Sequence, residues 1–273
     1  MRLRPLVLVA HGSRDPRAAP STWALARAVG AARPGAPVET AFLGFEPPGL
    51  ATALTRAAER GQRAATVVPL LLTAAYHGRV DVPGELAKVD GLGLSIGLAP
   101  VLGPVAGAAA DAVALDLLVR ALRRRLEEAV GVRDAEEAVG VRVDADETLD
   151  VRVDADEVLD GPVDAVVLAA AGSSQLPALE SVDLVAGALG SALGVPCRPG
   201  YASGAGPGTG ATVAALRAAG AERIALAAYF LAPGLLYDRA VNDARRAGAR
   251  IAADPLGAAP EIAELVLRRA DNG

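Results

Sequence analysis

The chain has 273 residues, 52% of them hydrophobic, with a formal net charge of −5 and one cysteine. That length exceeds one ordinary core and points to two modest domains or one large one, while the acidic balance excludes a global basic field for nucleic acid or an anionic membrane. Cys197 alone rules out an internal disulfide framework, and apolar runs broken by Gly, Pro or Arg leave no evident bilayer span or secretory leader, so a soluble cytoplasmic protein is expected.

Apolar runs of strand length alternate with longer Ala/Leu/Arg segments of helical character, the pattern of βα units stacked into a parallel sheet. In the first half, strands are expected at 5–10, 38–43, 65–72 and 92–98, and helices at 21–32, 49–60, 82–89 and 104–128. The first strand, in "LVLVAHGSRDP", stops at His11. The third, in "TVVPLLLTAAYH", runs toward His77, and these are the only histidines of the chain.

Between about 127 and 161 the character changes. "VRVDADETLD" (141–150) is followed by "VRVDADEVLD" (151–160), a ten-residue tandem repeat with one substitution. The period is far below that of a solenoid unit, and the acidic density predicts a solvated linker. Carboxylates bind hard divalent ions, so weak collection of metal is the functional alternative for this segment.

After the linker the first half starts again. "VDAVVLAAAGSSQLP" (163–177) lies over "RPLVLVAHGSRDP", and "ERIALAAYFLAPGLLYDRAV" (222–241) over "RAATVVPLLLTAAYHGRVDV" (63–82). In this pairing Ala171 stands opposite His11, and Leu236 opposite His77. The expected architecture is α/β: two similar doubly wound parallel-sheet domains, at 1–126 and 162–273, joined by the acidic linker at 127–161.

In a doubly wound sheet, ligands bind beyond the carboxyl ends of the strands where the strand order reverses. A strand order 2-1-3-4 makes the first and third strands neighbours, so that His11 and His77 face each other over one cleft. Imidazole binds borderline divalent metals through a neutral ring nitrogen and exchanges protons near neutrality. Taken singly, His11 also fits a turn hydrogen bond and His77 a half-buried loop. Their joint absence from the second copy favours the functional reading.

Gly12 permits a tight strand-to-helix turn, and Ser13 and Asp15 supply hydrogen-bonding groups or caps. Arg14, Arg17 and Arg79 bring positive charge to the same rim, which suits a carboxylate-rich ligand. Ser13, Arg14 and Arg79 are the substrate-binding candidates. Glu46, in "AFLGFEPPGL", is a candidate third metal ligand or base, although the two prolines that follow it favour a plain loop residue.

"VLVAHGSRDP" together with "VVPLLLTAAYHGRVDVP" resembles the sirohydrochlorin chelatase family, the cobaltochelatase and ferrochelatase-type class II chelatases. The resemblance covers the first half, and the linker with a degenerate second copy is similar to the two-domain members. It implies insertion of Fe²⁺, or next Co²⁺, into sirohydrochlorin, an octacarboxylate tetrapyrrole, in sirohaem or cobalamin biosynthesis. It further implies that His11 and His77 are the catalytic and metal-holding residues, with no cofactor beyond the metal substrate. Many members carry Glu directly after the second-strand "FL", where this chain has Gly44; Glu46 is the candidate substitute. Sirohydrochlorin and a divalent metal are thus the expected partners, with neither nucleic acid nor membrane, in a monomer whose two halves form an internal pseudo-dimer.

Three rival readings compete. A histidine phosphatase would need Arg where Ala10 stands. A non-catalytic metal or tetrapyrrole carrier would keep the same two-histidine cradle. The loop "GAGPGTG" (204–210) offers backbone amides to a phosphate, but it lacks the Lys-Ser/Thr of a P-loop, and a turn is the simpler reading.

Overall fold

The structure, a computed structural model, describes residues 4–73, 82–89, 91–104, 111–138 and 163–273, with the backbone alone over 132–138. The first half runs β1 (Leu6–Ala10), α1 (Ala18–Ala32), β2 (Val38–Phe42), α2 (Leu50–Glu59), β3 (Ala64–Pro69), α3 (Val82–Ala87), β4 (Ser95–Leu98) and α4 (Ala112–Ala138). The second repeats the order as β5 (Ala165–Ala170), α5 (Leu176–Leu193), β6 (Cys197–Tyr201), α6 (Thr209–Ala218), β7 (Ile224–Tyr229), α7 (Leu235–Arg246), β8 (Ile251–Ala252) and α8 (Pro260–Asp271).

Each half forms a four-stranded sheet, ordered β2-β1-β3-β4 and β6-β5-β7-β8, and every strand pair is parallel. This is the doubly wound α/β architecture expected from the βα alternation. β1 (LVLVA) and β5 (AVVLAA) are apolar throughout because each is central and buried on both faces. Val9 pairs with Ala41 and with Pro69, so the carboxyl ends of β1, β2 and β3 finish level.

Val7, Val9 and Val67 face outward against Leu50 and Leu54 of α2. The opposite faces meet in one core. Leu6, Leu8 and Val68 of the first sheet join Val166, Leu168 and Ala227 of the second through the apolar sides of α1, α4, α5 and α8. The closing helices are exchanged: α4 packs on α5, β7 and β8, whereas α8 packs on α1 and β3. Arg269 of α8 locks this arrangement, donating to Asp111 at 2.7 Å and to the carbonyls of Leu102 and Gly103.

Three expectations shift. The third strand ends at Pro69 rather than 72, because Leu71 and Leu72 leave the sheet and lend their carbonyls to Leu102 N–H and the Tyr229 hydroxyl. The last helix of the first half begins at Ala112 and continues through Ala138, past the expected end at 128. Helix-favouring Ala and Glu and the pairs Arg123–Glu127 and Arg125–Glu128 carry it on. Residues 127–138 of the expected linker are therefore helical, and 139–161, with the tandem repeat, lie outside the described residues. Finally, α5 is long and apolar enough by composition to cross a membrane. Val182, Val185, Ala186 and Leu189 instead give it a buried stripe in the shared core.

Candidate active site

At the end of β1 the chain turns through Gly12 with φ +85°. A Cβ there would stand 1.9 Å from the Gly44 carbonyl oxygen, so glycine is required by space as well as by conformation. The second half repeats the joint: Gly172 has φ +96°, and its Cβ would meet the Ser203 carbonyl at 1.7 Å. The amides of Leu43 and Gly44 donate to Ala10 and His11 as those of Ala202 and Ser203 donate to Ala170 and Ala171. His11 is thereby equivalent to Ala171, Phe42 to Tyr201, Gly44 to Ser203 and Phe45 to Gly204.

His11 is exposed, and its Nδ1 lies 3.2 Å from the Gly12 carbonyl oxygen. The tautomer that donates from Nδ1 leaves the Nε2 lone pair for a metal ion or a proton. Phe45 stands beside it, ring centroids 6.2 Å apart and tilted by 38°. The Arg14 guanidinium lies over the other ring, 5.3 Å from the Phe45 centroid. Phe45 holds φ +67°, a conformation that costs a residue with a Cβ about 1–2 kcal/mol.

The imidazole opens onto a cleft of about 600 Å³ between the halves, within the range that holds small-molecule ligands. Its walls are mainly apolar: Leu25, Leu70 and Leu72 from the first half face Leu179, Phe230 and Leu235 from the second. His11 also borders a second cavity of about 520 Å³ with Gly44, Phe45, Gly84, Glu85 and Lys88. The tyrosines of the cleft stay protonated. Burial pushes the phenols of Tyr201 and Tyr237 up to about 12 and that of Tyr229 higher still. The Tyr229 hydroxyl donates to the Leu72 carbonyl at 3.0 Å, joining the halves across the cleft floor.

Ser13 lines the cleft and accepts the Asp15 N–H at 3.0 Å, leaving its own O–H to donate. Arg17 has another task than the one expected from sequence. Its guanidinium grips Asp15 at 2.6 Å and reaches Asp238 in the first turn of α7, so it ties the two halves at the cleft mouth. The Arg17 hydrogen bonds hold the Asp15 carboxyl down at about 2, and the two carboxylates raise Arg17 in turn. Arg14 is exposed at the same rim.

Glu46 is half-buried, its N–H donating to the Gly44 carbonyl at 2.8 Å, and it lines neither cavity beside His11. Among the described residues, no three or more His, Cys, Asp or Glu side chains are grouped closely enough to hold a metal ion. His77 and Arg79 lie outside the described residues. β1 and β3 are direct neighbours with level ends, as the two-histidine reading requires. At 204–210 the turn reading holds: the chain bends into α6, and the Gly210 N–H at its start is engaged by Asp243 Oδ2 at 3.0 Å.

Sequence reasoning missed Phe45 as a neighbour of His11. Laying "AFLGFEPPG" (41–49) over "YASGAGPG" (201–208) with Phe42 on Tyr201 would have found it, since Phe replaces a conformationally free Gly there.

Comparison with known proteins agrees with the duplication. The chain matches the CbiX family over residues 5–114 and again over 165–272. No match was found among curated protein sequences. Among solved structures, SirB from Bacillus subtilis with Fe³⁺ superimposes with a TM-score of 0.73 at 21% identity, covering 99% of this chain and 95% of that one. SirB from Bacillus subtilis subspecies spizizenii, a sirohydrochlorin chelatase in complex with cobalt, gives 0.69 at 19% identity with the same coverage. CbiX, described as the terminal enzyme for biosynthesis of siroheme in denitrifying bacteria, gives 0.59 at 20% identity, covering 99% of both chains.

Proposed function

Since the chain belongs to the CbiX family, matched by each half in turn, we propose that it inserts a divalent metal ion, Fe²⁺ in preference to Co²⁺, into sirohydrochlorin. The product would serve sirohaem or cobalamin biosynthesis. The observation that carries this reading is the position of His11: an exposed imidazole at the carboxyl end of a central strand, opening onto an apolar cleft between two sheets. Of the two SirB structures with the same fold, one is described with Fe³⁺ and the other as a sirohydrochlorin chelatase in complex with cobalt.

Metallation exchanges a divalent ion for the two pyrrole N–H protons of the macrocycle, so charge and atoms balance with two protons released. An enzyme accelerates it by aligning ion and macrocycle and offering a proton acceptor. In this proposal the apolar walls receive the flat face of the tetrapyrrole. His11, with His77 by family resemblance, would hold the incoming ion at a ring nitrogen, and once the ion has passed to the macrocycle each would take up one departing proton at the nitrogen so freed. Arg14 and Arg79 engage peripheral carboxylates at the rim, and Ser13 donates to one of them. Glu46 is the proposed third ligand on the loop that carries Gly44. The second half, lacking histidine, closes the cleft, so one cytoplasmic chain supplies both walls as a monomer without ATP or other cofactor.

The test is anaerobic incubation of the purified protein with sirohydrochlorin and Fe²⁺, Co²⁺ or Ni²⁺ in turn, followed by absorbance. Many turnovers per protein, lost in His11→Ala, support the proposal. One stoichiometric transfer without turnover would make the protein a carrier instead.

A further inference from the structure

The two halves provide an internal control for one residue. The position after the second-strand turn is left-handed in both: Phe45 at φ +67° and Gly204 at φ +79°. Glycine takes that conformation at no steric cost, whereas phenylalanine is strained there. The strained residue occurs in the half that has a histidine at the end of its central strand, and glycine in the half where Ala171 stands. The ring is not spent on the fold either, because Phe45 is 59% exposed. Instead it neighbours two groups, the His11 ring with centroids 6.2 Å apart and the Arg14 guanidinium 5.3 Å from its centroid.

We propose that Phe45 is a positioning residue for His11 and Arg14: its ring fixes the imidazole at the junction of the two cavities and steadies the guanidinium at the rim. Imidazole side chains have several rotamers, and a metal ion needs one. An aromatic neighbour restricts those rotamers by contact and by ring electrostatics, and the cation over the phenyl face fixes the phenyl in turn. The left-handed backbone aims the side chain back toward the β1 end rather than along the loop. Its strain is the cost of holding His11 ready. The inference rests on the reading that His11 is the group that handles metal and protons.

Two measurements separate this from a merely structural role. The first is ¹H NMR of the full chain without substrate, with the His11 ring Hε1 signal assigned by its loss in His11→Ala. Phe45→Gly and Phe45→Leu should each move that signal toward the position of a free imidazole and narrow it, while Phe45→Tyr keeps it near the wild-type position. The second is the metallation assay at temperatures well below Tm. Phe45→Gly should lower kcat by roughly two- to tenfold, the range that loss of one aromatic contact gives, with Tm equal to or above wild type because the backbone is relieved. Phe45→Tyr should restore the rate.

Wild-type turnover in Phe45→Gly overturns the proposal. So does a lost rate with an unmoved Hε1 signal, which would assign Phe45 to substrate contact instead. If the wild-type protein fails to metallate sirohydrochlorin at all, the functional reading falls, and the NMR arm still decides whether Phe45 orders His11.

Discussion

Replacing Arg269 by Leu tests the claim that exchange of α4 and α8 welds the halves into one cooperative unit. Arg269 is 8% exposed at its side chain, as is Asp111, and the pair lies 2.7 Å apart. Removing the guanidinium leaves Asp111 buried without this cation and deprives the carbonyls of Leu102 and Gly103 of a donor. Breaking a buried pair from one side costs about 3–5 kcal/mol, most of it the penalty of the charge left behind. At roughly 2 °C per kcal/mol for a chain of this size, Tm should fall by about 6–10 °C. Among the described residues the Nε of Arg269 has no hydrogen-bond partner, so the pair is itself imperfect. Arg269→Leu with Asp111→Leu should therefore recover most of the loss. The assay is thermal and denaturant unfolding followed by far-UV circular dichroism, with metallation measured below both midpoints. One shifted transition with unchanged kcat is expected, because neither residue lines the cleft. A shift under 1 °C, or two transitions of which one stays at the wild-type position, would refute the weld.

Gly12→Ala should abolish metallation and lower Tm, because its methyl meets the Gly44 carbonyl at 1.9 Å and its φ of +85° is closed to alanine; an active, stable Gly12→Ala protein would show that the joint is softer than described. Cys197, pushed up to about 12 by burial, should resist alkylation at pH 8 in the folded protein and react promptly once unfolded; rapid labelling of the native chain contradicts this. Asp15 is held at about 2 by Arg17, below its unfolded value near 4. A depressed carboxylate contributes stability above the unfolded pKa and loses it as pH falls through the folded one. Asp15→Asn should accordingly flatten the stability profile between about pH 4 and pH 2, as read by denaturant midpoints across that window, whereas a profile parallel to wild type denies the linkage.

The architecture was legible because its signals are local. Alternating apolar runs gave the strands, and the similarity of "VVLAAAGSSQLP" to "LVLVAHGSRDP" gave the duplication. The neighbouring level ends of β1 and β3, assumed in placing His11 and His77 together, are present in the sheet. What stayed hidden is set by contacts distant in sequence. Amphipathic α4 and α8 announce that each has a buried face, but no residue in either says which sheet that face will cover. Arg17 reads as a rim cation free for an anionic ligand until Asp238 arrives from the other half. The Gly210 amide of "GAGPGTG" looks open until the Asp243 carboxylate accepts from it. Phe45 belongs to a loop without periodicity, so in the sequence only its pairing with Gly204 marks it, and its backbone angle and ring neighbours show why that pairing matters.

The most direct test of the central claim is a crystal structure of the protein soaked anaerobically with Co²⁺, with anomalous scattering used to find the ion. Coordination by two imidazoles requires one peak about 2 Å from a ring nitrogen of both His11 and His77 at the wall of the interdomain cleft. A peak away from His11, or two rings too far apart to share one ion, would contradict it.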